Sequence, residues 1–464
     1  MMREPAFSLL KKPAPMALKG KKVLVLGLGD TGLSVANWVK VQGGSIRVAD
    51  TRASPPHGKK LAQDEVVTGR FKLSLLKNID LVCISPGLSL QEDLIQAAIA
   101  KSIPIVGDIE LFAWAVAGEK AGKRIAITGT NGKSTVTALT GHLLRAAGVD
   151  CEVAGNISPP ALDALRRRGA QAPAAWVLEL SSYQLETTWS LAPDAAAMLN
   201  LSEDHLDRYA GLAEYAAAKA RIFLGDGVQV LNRCDSASMA LAIAGRPQVT
   251  FGLDAPDMPE DFGVGSSVNA GWLVRGAERI LPVADLPLSG AHNLSNALAA
   301  CALAGQAGVP LAALADGLRS FHGLPHRMQR VLLRDGVEWL DDSKGTNVGA
   351  TVAALKGLPK KAVLILGGEG KGQNFAPLAP AIRAQAKHVL LIGRDSARIE
   401  KAIGGAGVPV EHCASLEAAV SRAAQLAARG DAVLLSPACA SFDMFRDYKH
   451  RGDAFADLVK ELKS

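Results

Sequence analysis

Three successive α/β domains with mostly parallel sheets are expected from this chain, and three observations lead there. Its 464 residues amount to roughly three domains at about 100–200 residues each. Strand-like runs at residues 23–26, 124–128 and 362–366 each end in a glycine. Their apolar residues are continuous rather than alternating, which suits a strand buried on both faces. Helical patterns follow the first two, as at residues 134–147, and strands alternating with helices build parallel layers.

Hydrophobic residues make up 48% and charged residues 21%, ordinary for a protein with several cores. Aromatics at 5% leave those cores to Ala, Leu, Val and Ile. Basic residues number 51 against 45 acidic, a net charge of +6 without a long basic run. Nucleic acid is therefore not expected as a partner, whereas local sites for small anions are. Six scattered cysteines show neither C-x-x-C nor zinc spacing, as reduced and mostly buried thiols would. No stretch of about 18 apolar residues marks a membrane span, and no cleavage signal stands at the start. A cytoplasmic monomer is expected, with residues 1–20 a flexible extension.

The first domain is read as residues 21–108. Gly27-Leu28-Gly29-Asp30-Thr31-Gly32 fits G-x-G-x-x-G after a strand, and Ile46-Arg47-Val48-Ala49-Asp50 ends in an acid about 20 residues on. This makes the domain Rossmann-like. Taken alone the pattern indicates a nicotinamide-dependent oxidoreductase. The same turn serves any nucleotide diphosphate, however, and Thr51-Arg52 after the acid could read a uracil or ribose edge. Ile84-Ser85-Pro86-Gly87 adds a second tight turn at the end of the next buried strand.

The central domain, residues 109–323, carries the firmest chemical signal. Gly129-Thr130-Asn131-Gly132-Lys133-Ser134-Thr135 lies between a strand and an amphipathic helix. Such a turn aims backbone N–H groups and the positive helix end at one spot, suited to phosphate. Lys133 can reach the β- and γ-phosphates, and the Ser134 hydroxyl can ligate Mg²⁺. Ile127 stands where the full G-x-x-x-x-G-K-[ST] motif needs glycine, so this is a P-loop ATPase-like loop of a shorter kind. A solvated lysine on an ordinary strand–turn–helix is the plainer alternative. Two glycines and two hydroxyls around Lys133 argue against it. Glu179 ends the run 175–179, where a neighbouring strand would set a carboxylate beside the loop. His205 sits among carboxylates in residues 200–208. Oxygen-rich ligation suits Mg²⁺, which keeps several waters. Lys219 falls on the apolar stripe of a helix over residues 214–224; by itself that favours an amine that snorkels to water. Residues 255–285, rich in Gly, Pro and acids, read as loops and short strands within this domain.

Residues 321–327 resemble a hinge into the third domain, residues 324–464, which is read as a second Rossmann-like α/β unit. Here the chain resembles the Mur ligase family over nearly its whole length from about residue 21. The loop from Gly129 to Thr135 resembles the family's ATP loop. The stretches 179–186 and 204–208 resemble its metal-binding segments. Asn293 and Asn296 in His292-Asn293-Leu294-Ser295-Asn296 resemble its adenine-side motif. Arg327 resembles the hinge arginine that meets ATP, and Asp342 a ribose or hinge acid. Lys219 aligns with the lysine that is carbamylated and holds a second Mg²⁺.

Among family members, the D-glutamate-adding one fits best. Asp30, Thr31, Asp50, Thr51, Arg52 and Gly87 would hold the uridine diphosphate, and Asn156 the muramoyl part. Thr346, Lys371, Ser436 and Phe442 would form the glutamate pocket. The Asn-Pro-Arg of diamino-acid-adding members is absent, while Gly345 and Glu369 stand where Ala and Asp are expected. The resemblance implies ATP-dependent ligation of D-glutamate to UDP-N-acetylmuramoyl-L-alanine in cytoplasmic peptidoglycan precursor synthesis. An acyl phosphate would form, with ATP and two Mg²⁺ as cofactors. Ser134 and Glu179 would hold one metal; His205 and carbamylated Lys219 would hold the other. Lys133, His205 and Lys219 would be catalytic. Another Mur-type ligase and the oxidoreductase are the competing readings.

Overall fold

The computed structural model describes residues 5–61, 66–118, 122–205, 208–267, 270–288 and 290–462. Its strands form three separate sheets. In the first, five parallel strands run in the order Val66–Thr68, Ser45–Asp50, Lys22–Leu26, Leu81–Ile84, Ile105–Val106. The glycine turn after Lys22–Leu26 leads into the helix Asp30–Val41, at the carboxyl edge where such sheets bind ligands.

The central sheet has nine strands. Lys123–Thr128 lies between Ala195–Met198 and Ala175–Glu179, both parallel to it. Register sets Ile127 beside Glu179 and Thr128 beside Met198, so the glycine loop and Glu179 emerge at one edge. Residues 255–285 do build short strands: Phe262–Ser267, Ala270–Arg275 and Glu278–Pro282 extend this sheet, the last two antiparallel. In the third sheet five strands are parallel, with Ala362–Gly367 between Ala432–Leu435 and Ala386–Ile392. Gln329–Arg334 joins as an antiparallel edge.

Burial divides the molecule unevenly. One apolar cluster runs without interruption from Leu24 and Val48 in the first sheet to Trp176, Met198 and Tyr215 under the central one. Phe112 meets Trp176 edge-on at 5.1 Å. A second cluster fills the other face of the central sheet. The third domain keeps its own clusters on the two faces of its sheet. The first two domains thus share a core, and the third does not share it.

The opening segment departs from the sequence expectation. Phe7, Leu10 and Leu18 are buried in the shared core, and the Arg221 guanidinium lies over the Phe7 ring. Residues 5–20 are therefore laid against the fold by three apolar side chains rather than left as a loose extension. Residues 1–4 of that expectation lie outside the described residues. All six cysteines are free, four of them buried.

Candidate active site

The strand Lys123–Thr128 passes through Gly129 at φ +155° and Gly132 at φ +84° into the helix Lys133–Ala146. A Cβ at Gly132 would stand 2.4 Å from Asn296 Oδ1, so glycine lets the loop and the Ala291–Gln306 helix approach. Asn200 holds the loop from beneath. Its side chain accepts from Asn131 N at 2.8 Å and donates to Asn131 O at 3.1 Å. Thr130 is fixed to Ser202 in both directions.

Lys133 curls over this loop and donates to Gly129 O and Thr130 O, both at 2.8 Å. Burial pulls its pKa down, while the Glu179 and Asp204 carboxylates pull the other way. Lys219 does not snorkel. It is 1% exposed, because its stem points inward from Leu212–Ala220 and its amine donates to Gly129 O at 2.8 Å and Thr128 Oγ1 at 3.2 Å. Burial, then the charge of Lys133, hold its pKa well below the ordinary lysine value. Two lysines therefore share one carbonyl, a crowding of cations that favours an anion between them.

Glu179 is buried at its strand end; Oε1 accepts from Asn156 at 2.7 Å. Oε2 is buried and has no hydrogen-bond partner among the described residues. An unpaired buried carboxylate oxygen beside a phosphate-type loop fits a cation. His205 adopts φ +55° and meets the Tyr183 hydroxyl through Nδ1 at 2.7 Å; residues 206–207 of its stretch lie outside the described residues. No group of three or more His, Cys, Asp or Glu among the described residues forms a ready metal site.

A cavity of about 660 Å³ links these groups to the first domain. Lys133, Asn156, His205 and Lys219 line one end; Asp30, Thr31, Thr51, Arg52 and Gly87 line the other. Asp50 lines the cavity as well. Its carboxylate, 2% exposed, accepts from Leu28 N at 2.7 Å and from Arg52 through three bonds. Burial raises its pKa, but the Arg52 and Leu28 bonds outweigh this and leave it at about 2. An acid saturated by Arg52 is not left to bind a ribose as a nicotinamide site requires; it aims the guanidinium instead.

Three family models match the chain in sequence order: "Mur ligase MurD-like, N-terminal domain" at residues 21–107, "Mur ligase middle domain" at 127–304, and "Mur ligase, glutamate ligase domain" at 326–439. The chain belongs to the Mur ligase family. A relative from Nitrosospira multiformis is 54% identical over 97% of both chains, and one from Thiobacillus denitrificans 53% over 96% and 98%. Both are named UDP-N-acetylmuramoylalanine–D-glutamate ligase. The UDP-N-acetylmuramate–alanine ligase of Thermotoga maritima superposes with a TM-score of 0.61 at 20% identity, covering 96% of this chain and all of that one. The Acinetobacter baumannii MurF structure gives 0.59 at 17%, covering 96% and 92%. At such identities these structures share the Mur ligase fold.

The third domain meets the loop through polar contacts. Arg327 donates to Ser134 Oγ at 2.8 Å, and Asn347 approaches Asn131 and Asp204 at 3.4 Å. Asp342 is buried and accepts from Ser436 Oγ at 2.7 Å and Met328 N at 3.3 Å. Burial raises its pKa to about 7 against the Ser436 bond and the Arg327 charge. It thus braces the hinge beside Arg327. Ser436 is fully buried and committed to Asp342 and Thr351, so its hydroxyl does not face an open pocket in this arrangement. At Gly345, where Ala is expected, a Cβ would stand 2.6 Å from Asp342 Oδ2. Lys371 and Phe442 do meet, the amine 5.8 Å from the ring centre; both are exposed, and Thr346 is half-buried.

Asn347, Lys344 and Tyr183 are further polar groups at the site that the sequence does not single out. The Lys344 amine lies 3.8 Å from the centre of the Tyr448 ring; burial, then the Arg327 charge, lower its pKa to about 8. Its place in Asp342-Ser343-Lys344 was the available signal. No periodicity singled it out.

Proposed function

We propose that this chain joins D-glutamate to UDP-N-acetylmuramoyl-L-alanine at the expense of ATP, as a cytoplasmic monomer acting in peptidoglycan precursor synthesis. The observation that carries the reading is the cavity that holds a nucleotide-type turn at one end and the Lys133 and Lys219 amines at the other. The relatives' shared name supports the substrates. The reaction would use the domains at residues 21–108, 109–323 and 324–464.

The chemical difficulty is to make a carboxylate electrophilic when both it and the γ-phosphate are anions. Lys133, released from its carbonyls, and the loop amides at Gly129, Thr130, Asn131 and Gly132 screen that repulsion. Ser134 and Glu179 suit one Mg²⁺, and His205 with a carbamylated Lys219 suit another; the ions would supply charge neutralisation. Buried Lys219 beside Lys133 favours a carbamate because it replaces like-charge repulsion with attraction. Asn293, Asn296, Thr135, Arg327 and Asp342 would take the adenosine side of the nucleotide. Arg52, aimed by Asp50, with Asp30, Thr31, Thr51 and Gly87, takes the uridine diphosphate end; Asn156 takes the muramoyl part.

In the third domain Lys371 pairs with a glutamate carboxylate beside Phe442, Thr346 and Ser436. Because Asp342 and Thr351 of the same domain hold the Ser436 hydroxyl, Ser436 reaches a ligand only if those bonds rearrange within that domain. Closure of the domain keeps water from the acyl phosphate. The glutamate amine attacks the acyl carbon, the amine loses a proton, and phosphate leaves.

The deciding measurement is phosphate release with UDP-N-acetylmuramoyl-L-alanine and a panel of D- and L-amino acids. Release dependent on D-glutamate is expected. Release with another amino acid and none with D-glutamate would move the chain to a different Mur ligase activity. Saturable NADH binding would revive the oxidoreductase.

A further inference from the structure

Two ends of one substrate must be held by two domains, and something has to set the span between them. Apolar packing between the domains is non-directional. Gln184 donates across the boundary to Asp108 at 3.0 Å, and beside the cavity Arg208 makes the larger set of directional contacts. Its Nη1 donates to Leu88 O at 2.7 Å and Pro86 O at 3.3 Å, the two carbonyls flanking Gly87. Its Nε and Nη2 hold both oxygens of Glu186, which is also fixed by the Tyr209 hydroxyl at 2.7 Å. The same guanidinium lies 4.3 Å from the centre of the Tyr183 ring, and Tyr183 meets His205. Both members of the ion pair are nearly buried, at 13% and 4% side-chain exposure. Only a planar, multiply donating cation can face a carboxylate, two carbonyls and a ring at once.

We propose that Arg208 is a positioning residue that sets the distance between the nucleotide end and the reacting carboxylate of the bound substrate. It does so by tying the first domain's Gly87 turn to the central domain's Tyr183 and His205 corner. The inference rests on the ligase reading. An error of about 1 Å in placing reacting groups costs about 10²-fold in rate.

The test uses the full-length wild type, Arg208→Ala and Arg208→Lys. UDP binding, whose proposed contacts all lie in the first domain, is measured by calorimetry beside D-glutamate-dependent phosphate release. In both variants UDP affinity should stay within about twofold, while kcat falls about 10²-fold; added guanidinium should restore part of the Arg208→Ala loss. Unchanged kcat, or equal losses of UDP affinity and kcat, would overturn the proposal, the second showing mere support of the turn. Should Arg208→Ala not fold, Arg208→Lys, which keeps the charge, decides alone. Absence of D-glutamate-dependent release in the wild type would instead overturn the ligase reading.

Discussion

Arg327 donates to the Ser134 hydroxyl at 2.8 Å, although 193 positions separate them in the chain. The bond joins the third domain's hinge to the first turn of the loop helix. Among the described residues the third domain's apolar clusters are separate from the others, so polar contacts of this kind weigh in how it sits. Arg327→Ala should lower kcat about 10²-fold and raise the KM for ATP. Small-angle scattering should show less compaction with an ATP analogue and precursor than in wild type. Wild-type kinetics in the variant would defeat the contact's importance.

Lys219→Ala should be nearly inactive, because the Thr128 and Gly129 end of the site loses its buried amine. The carbamate reading adds that a short-chain carboxylate such as acetate restores part of the rate by standing in for the lost anion. A loss that no carboxylate repairs would leave Lys219 as a plain amine, and full activity would remove it from the site.

Asp50→Asn keeps the size of the side chain but removes the charge that holds Arg52. A hydrogen bond to a charged group contributes about 1.5–3 kcal/mol, so UDP affinity should fall about tenfold, read by calorimetry. NADH fluorescence should show no saturable binding in either protein. Undiminished UDP affinity would mean that Arg52 does not need its partner.

His326 and Asp341 form a hinge pair 2.6 Å apart, next to Arg327. The Asp341 hydrogen bond raises the histidine's pKa above its ordinary 6.5 in spite of burial. Folding therefore favours the protonated ring. The stabilisation is complete below the ordinary imidazole range and fades as pH rises through the higher folded value. His326→Gln should flatten the fall in Tm between about pH 6 and about pH 8. An identical pH profile in wild type and variant would show that the pair carries no linked proton.

From residue order alone came whatever is local. Continuous apolar runs marked buried strands, and the glycines around Lys133 marked the anion loop, because backbone geometry and helix polarity act within a few residues. Tertiary structure decided what depends on distance. Lys219 sits on an apolar stripe and reads as a snorkelling residue until the loop is seen to offer Gly129 O as its partner. Asp50 imitates a ribose-binding acid until Arg52 is found to fill it. Ser436 and Asp342, 94 positions apart, close on each other, and Phe7 finds the shared core. A pattern states what a side chain is able to do; desolvation and partners brought from distant strands determine which of those things it does.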